Sequence, residues 1–156
     1  MNRLNGGFTL LEVLVSVLVL AIGLLGMAAL QMTGLSNNYS AYLRSQATQI
    51  AYDLADRMRA NPAGVFAANY NNPSMPSSAP TCTDCTPADM ASRDFYEWRQ
   101  AITTILPGGT GVVCVDATPT TAACDGTGNI YAIKVTWTDR ENGAAVTKTF
   151  VTSFWP

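Results

Sequence analysis

From Val13 to Leu43 the chain contains no Asp, Glu, Lys or Arg. A run like this has no place on the surface of an ordinary soluble domain. Val13–Leu30 alone supplies 18 uncharged, mostly aliphatic residues, which is enough for a helix to cross the hydrocarbon of a bilayer. From Phe8 to Leu30 only Thr9, Glu12 and Ser16 break the apolar character. Ahead of the run lies a short polar leader, Met1–Gly7, whose one basic residue, Arg3, favours a cytoplasmic N-terminus. A cleaved secretory signal fits less well, because the stretch outruns an apolar core of about 7–15 residues and no small-residue cleavage pattern follows it. A plain single-pass anchor satisfies the hydropathy. The 156 residues leave room beyond it for one compact domain.

Glu12 does not suit a plain anchor. A carboxylate at mid-membrane costs about 2.5–3.5 kcal/mol on insertion scales, and less near the interface. The start of a helix favours negative charge, so the macrodipole offsets part of that cost. A nearby cation would offset more. Cutting the chain between Gly7 and Phe8 would supply one, a free α-amino group.

These residues resemble a known family. Gly7-Phe8-Thr9-Leu10-Leu11-Glu12, followed by the long apolar run, is similar to the leader of type IV prepilins and type II secretion pseudopilins. The resemblance implies a prepilin peptidase cutting after Gly7 and N-methylation of the exposed Phe8. It also implies that Glu12 pairs with the terminal amine of a neighbouring subunit during assembly.

Helical spacing continues past the apolar run. Leu43, Ala47, Ile50, Leu54 and Met58 recur three and four apart, as on one face of an amphipathic helix. Asp53 and Arg57 stand four apart on its polar side. No proline interrupts Phe8–Asn61, and Pro62 reads as a stop. A helix over this stretch would be roughly 80 Å long at about 1.5 Å per residue, with Gly23, Gly26 and Gly34 as soft points. Residues 61–81 have a linker's composition, with four prolines and no charge. Thr86-Pro87-Ala88-Asp89 reads as a helix start. Ala91, Phe95, Trp98, Ile102 and Ile105 predict a second helix ending at Pro107-Gly108-Gly109.

The remainder predicts strands: Gly111–Asp116, Ile130–Asp139, and Ala145–Trp155 after the Asn142-Gly143 turn signal. In the middle one, Tyr131, Ile133, Val135 and Trp137 share one face, and Lys134, Thr136 and Thr138 the other. The expected fold is α+β and pilin-like. One long N-terminal helix, membrane-spanning in its first half and amphipathic in its second, packs on an antiparallel sheet of about three strands, beside a second helix. The expected boundaries are a leader over 1–7, a transmembrane and filament-core half-helix over 8–32, and a periplasmic globular domain over 33–156. Within that domain we expect a loop over 61–86, a helix over 87–106 and a sheet over 111–155.

The later segments narrow the resemblance. Leu54-Ala55-Asp56-Arg57-Met58-Arg59-Ala60-Asn61, the Trp98 helix ending in Leu106-Pro107-Gly108-Gly109, and Tyr131-Ala132-Ile133-Lys134-Val135-Thr136-Trp137 are similar to the minor pilins called type IV pilus modification proteins, PilV. That resemblance implies a minor pilin that primes or modifies a type IV pilus and serves adhesion or twitching motility. The implied partners are other minor and major pilins, the prepilin peptidase and the inner-membrane assembly platform, with a tip adhesin as a further candidate. The implied location is the bacterial inner membrane, single-pass with the domain periplasmic, and then the pilus surface. A minor pseudopilin of a type II secretion system and a membrane-tethered ligand-binding module are the alternatives.

The four cysteines suggest an oxidising compartment. Three pairings are possible, and Cys82–Cys85 with Cys114–Cys124 is expected because each closes a short local loop. The rival readings of Cys82-Thr83-Asp84-Cys85 are a redox motif or half a zinc site, but no thioredoxin-like βαβ pattern surrounds it. Catalytic readings find little support. There is no histidine, so the usual general base and the commonest metal ligand are missing. Asp53 with Asp56, and Asp94 with Glu97, read as solvated helix faces. Nine basic and eleven acidic residues, with no dense basic cluster, give no nucleic-acid footprint. No enzyme activity, cofactor or metal is expected.

Overall fold

The computed structural model describes residues 9–121, 123–141 and 143–155. The chain divides into two units, residues 1–39 and 40–156. One helix, α1 (Leu10–Ala60), contributes to both.

In the first unit every described residue is exposed. Thr9 starts α1, and its side chain accepts the Glu12 N–H at 3.3 Å, which satisfies one of the donors that a helix leaves open at its N-terminus. Leu10, Leu14, Leu18 and Leu25 are all more than half exposed. This part of α1 is long and apolar enough to cross a membrane.

The second unit holds the core. From Leu43 onward α1 is amphipathic, and Leu43, Ala47, Ile50, Leu54 and Met58 are buried, as their spacing predicts. Next comes α2 (Pro62–Phe66), in a stretch the composition had assigned to loop. Asn61 caps it by accepting the Gly64 N–H at 3.1 Å. Pro62, expected as a stop, both ends α1 and opens α2, because a missing N–H costs nothing at the first helical position. The downstream segment is anchored too, since Tyr70 is fully buried.

The helix α3 (Pro87–Ile105) begins with a reciprocal capping box between Thr86 and Asp89. It buries Ala91, Phe95, Trp98 and Ile102. The Trp98 indole donates to Ile50 O at 3.0 Å and so ties α3 to α1. Three antiparallel strands follow in the order β1-β2-β3: β1 (Thr110–Val115), β2 (Tyr131–Glu141) and β3 (Ala144–Phe154). Val113 pairs with Ile133, and Ile133 with Thr152. Tyr131, Ile133, Val135 and Trp137 face the core and are buried. A long N-terminal helix on a three-stranded antiparallel sheet, with further helices, is the expected α+β pilin-like layout.

Candidate functional site

Glu12 lies in the first turn of α1. Its N–H bonds Thr9 O at 3.0 Å, and its carbonyl accepts from Ser16 Oγ at 2.7 Å. The residue is exposed, with Leu11 and Val13 exposed on either side of it. A carboxylate is therefore held at the positive end of the helix dipole amid aliphatic side chains. Gly7 and Phe8, which the sequence marks for cleavage and methylation, lie outside the described residues.

In the second unit an ion-pair cluster forms where α1, α2 and α3 meet. The Arg57 guanidinium reaches Asp53 at 2.8 Å, Glu97 at 2.7 Å and Asp94 at 3.4 Å. Tyr70 donates its hydroxyl to Asp94 at 2.6 Å. Asn61 Nδ2 donates to Tyr70 Oη at 3.2 Å and to Pro87 O at 2.8 Å. Burial alone would lower the Arg57 pKa, but its bonds to Glu97 and Asp53 outweigh that and hold it above its usual value. Burial, then Asp94, pushes Tyr70 upward. Arg93, then Arg57, draws Glu97 below the usual carboxylate range. Asp94 and Glu97, read from sequence as a solvated face, are thus the anchors of α3 on α1. No proton-transfer site emerges, because each group is engaged in holding another.

A buried ion pair lies on the sheet. Lys134, assigned by alternation to the polar face of β2, is 4% exposed beside the fully buried Asp116. Its ammonium bonds Asp116 Oδ2 at 2.5 Å, Thr121 O at 2.7 Å and Ala123 O at 2.7 Å. Thr121 and Ala123, in the loop after β1, thus enclose the Lys134 ammonium on the outer face of the sheet, while Val112 and Thr138 on that face stay exposed. Asp125 stiffens that loop by accepting the N–H groups of Thr127 at 2.8 Å and Ala117 at 3.2 Å. The Thr127 bond is the main reason its pKa is lowered.

The structure brings Cys82 to Cys85 and Cys114 to Cys124, with Cα separations of 5.2 and 6.2 Å, inside the range a disulfide spans. The donor atoms of Cys114, Asp116 and Cys124 lie within 4.8 Å of one another. A metal there would have to displace Lys134 from Asp116 and separate two joined sulfurs, so the donor set does not favour one.

Two family models match the chain. The prokaryotic N-terminal methylation motif covers residues 2–28, and the type IV pilin Tt1218 model covers residues 29–96. Together these matches support a type IV pilin. No curated protein and no solved structure matched it. Type IV pilins are a structural, non-enzymatic class, and the methylation motif implies handling by the prepilin peptidase and assembly with other pilins. The exposed apolar part of α1 fits a membrane-anchored pilin. In this pilin the pilin-model match ends at Tyr96, so it takes in Arg57, Tyr70 and Asp94 of the cluster. The whole sheet lies outside both matches.

Proposed function

We propose that this pilin is a minor subunit of a type IV pilus, of the PilV kind, which primes or modifies the filament and so serves adhesion or twitching motility. The supporting observation is Glu12, an exposed carboxylate in the first turn of an apolar helix with no core around it. In this reading the prepilin peptidase cuts after Gly7 and Phe8 is N-methylated. The Phe8 amine, in this or an adjacent subunit, then neutralises Glu12 and sets axial register as the subunit leaves the bilayer. Pairing removes most of the cost of a lone charge in lipid. Before assembly the chain spans the inner membrane once, with residues 33–156 periplasmic. There Cys82–Cys85 and Cys114–Cys124 form disulfides. The PilV reading is supported by the segments that resemble that group, Leu54–Asn61 and Tyr131–Trp137. They supply Arg57 and Asn61 of the helix cluster and the buried face of β2.

The test is Glu12→Ala in the native cell. Hydropathy and Gly7 are untouched, so the variant should insert and be cleaved. It should be missing from sheared pili, or surface pili should fall in number. Immunoblots of membrane and sheared fractions, with pilus counts, read the outcome. Normal values in both pilus measurements would sink the role given to Glu12. A defect in protein secretion with normal pili would favour the pseudopilin alternative.

A further inference from the structure

The two edges of the sheet are finished differently. On the β1 edge, Val113 O accepts the Asn72 N–H at 2.8 Å, and Val115 N–H donates to Asn71 Oδ1 at 3.0 Å. The segment after α2 therefore closes that side. On the β3 edge, among the described residues, no backbone group of Ala144–Phe154 bonds to anything except β2.

The register identifies the open groups. Val113 turns its carbonyl away from β2, so Val113 and Ile133 form a non-hydrogen-bonded pair. Ile133 must then exchange its bonds with Thr152 across β3, because bonding alternates along an antiparallel ladder. It follows that Ala145, Thr147, Thr149, Val151 and Ser153 point their N–H and C=O groups outward. Natural proteins blunt such an edge with proline, bulges, charge or a cover. Here the pairing runs unbroken from Ala144 to Phe154 with no proline. The one lysine, Lys148, is neutralised by Glu141.

Apolar surface lies beside these groups on the α1 side of the sheet in two patches, between which α1 carries the exposed Asp56–Arg59 ion pair. Tyr52 is 50% exposed and meets the half-buried Phe150 edge-on, with ring centroids 6.5 Å apart. Beyond them, where β3 ends, Phe66 and Trp155 stand exposed over a cleft of about 200 Å³. Arg59 lies over the Phe154 ring at 5.3 Å on its wall.

We propose that β3 accepts one extended, uncharged segment of a different protein chain as a fourth strand. Backbone groups of that segment would bond the outward-facing residues. Its alternate apolar side chains would cover Tyr52 and Phe150, with one entering the cleft between Phe66 and Trp155. Neutrality of the guest follows from charges that already have partners: Lys148 pairs with Glu141 on the edge, and Arg59 on the cleft wall pairs with Asp56. A second copy of this chain suits the site poorly. Antiparallel β3–β3 pairing creates a two-fold axis normal to the sheet, which reverses the α1 segment each copy carries, whereas both chains enter that segment from the same membrane.

A photo-crosslinking residue at Thr149 of the full chain, in its own cells, tests this. Adducts are scored in membrane as well as pilus fractions, so a chain that failed to enter filaments would still report. The expected result is an adduct whose cross-linked peptide is an uncharged stretch of alternating apolar residues from another protein. Val151→Pro removes an outward N–H and leaves the β2 ladder intact, and should lower the yield about tenfold. Thr147→Lys with Ser153→Lys, which adds edge charge to exposed positions without a backbone change, should do the same. Val151→Thr should retain the adduct. Absence of any adduct, an adduct to β3 of a second copy or to a charged or helical segment, or one that survives both blocks, would overturn the proposal.

Discussion

At the residue scale the second unit is organised by arginine and lysine, each surrounded by oxygen. Arg57 meets three carboxylates from two helices, and truncating it would leave Asp94 with the Tyr70 hydroxyl in place of a cation and Glu97 with Arg93 alone. Arg57→Ala should therefore destabilise the folded unit by about 1–3 kcal/mol. The Glu97 pKa is lowered on folding. Its contribution is thus fully present above the unfolded carboxylate value and disappears as pH falls through the folded one. Thermal unfolding of the full chain in detergent should show wild type losing more stability between pH 6 and roughly pH 3 than Arg57→Ala does. Equal losses would remove Arg57 from that role. The Asp53–Arg57 pair was legible from the four-residue spacing. The reach to Asp94 and Glu97 was not, because they lie on a different helix. Lys134 does lie on the face opposite Ile133 and Val135, but its burial was not legible: alternation tells which face of a strand a residue occupies, not whether a distant loop encloses it there.

At the element scale local rules were dependable where cap and periodicity agreed. For α3, Thr86, Pro87 and Asp89 marked the start, and Ala91, Phe95, Trp98 and Ile102 marked the buried side. α2 escaped notice because Asn61-Pro62 carries two meanings, the end of one helix and the cap and first residue of the next. The seam between α3 and β1 depends on Gly111. A Cβ there would stand 2.5 Å from Trp98 Cη2 and press on Ile102 Cδ1. Both neighbours are buried, so neither can swing aside. Gly111→Ala should cost about 1–3 kcal/mol through overpacking, whereas Gly143→Ala meets no atom within 4 Å and is strained only by its positive φ of 83°. Denaturant melts of the two variants would check the ranking, and a larger loss at Gly143 would contradict it.

Taken whole, the chain solves two solvation problems with different means. The exposed aliphatic surface of the first unit needs lipid or other apolar helices around it. The second unit has a core of its own, finished by loops. The Cys114–Cys124 link closes ten residues and Cys82–Cys85 only three, so chain entropy predicts unequal effects. Replacing Cys114 and Cys124 by serine should cost about 3 kcal/mol, and the same change at Cys82 and Cys85 clearly less. Melting temperatures of both double variants measure this, and equal shifts would refute the loop-length argument. The Lys134 contacts give the first loss a further consequence. The segment from Asp116 to Ile130 is held by one cystine that joins its middle to β1 and by an ammonium clasped to Thr121 O and Ala123 O. Proteases need several residues of slack chain before they can cut, and this fastening denies them that slack. Resistance to proteolysis thus depends on the redox history of the chain: oxidised protein would stay whole, and reduced protein would be nicked between β1 and β2.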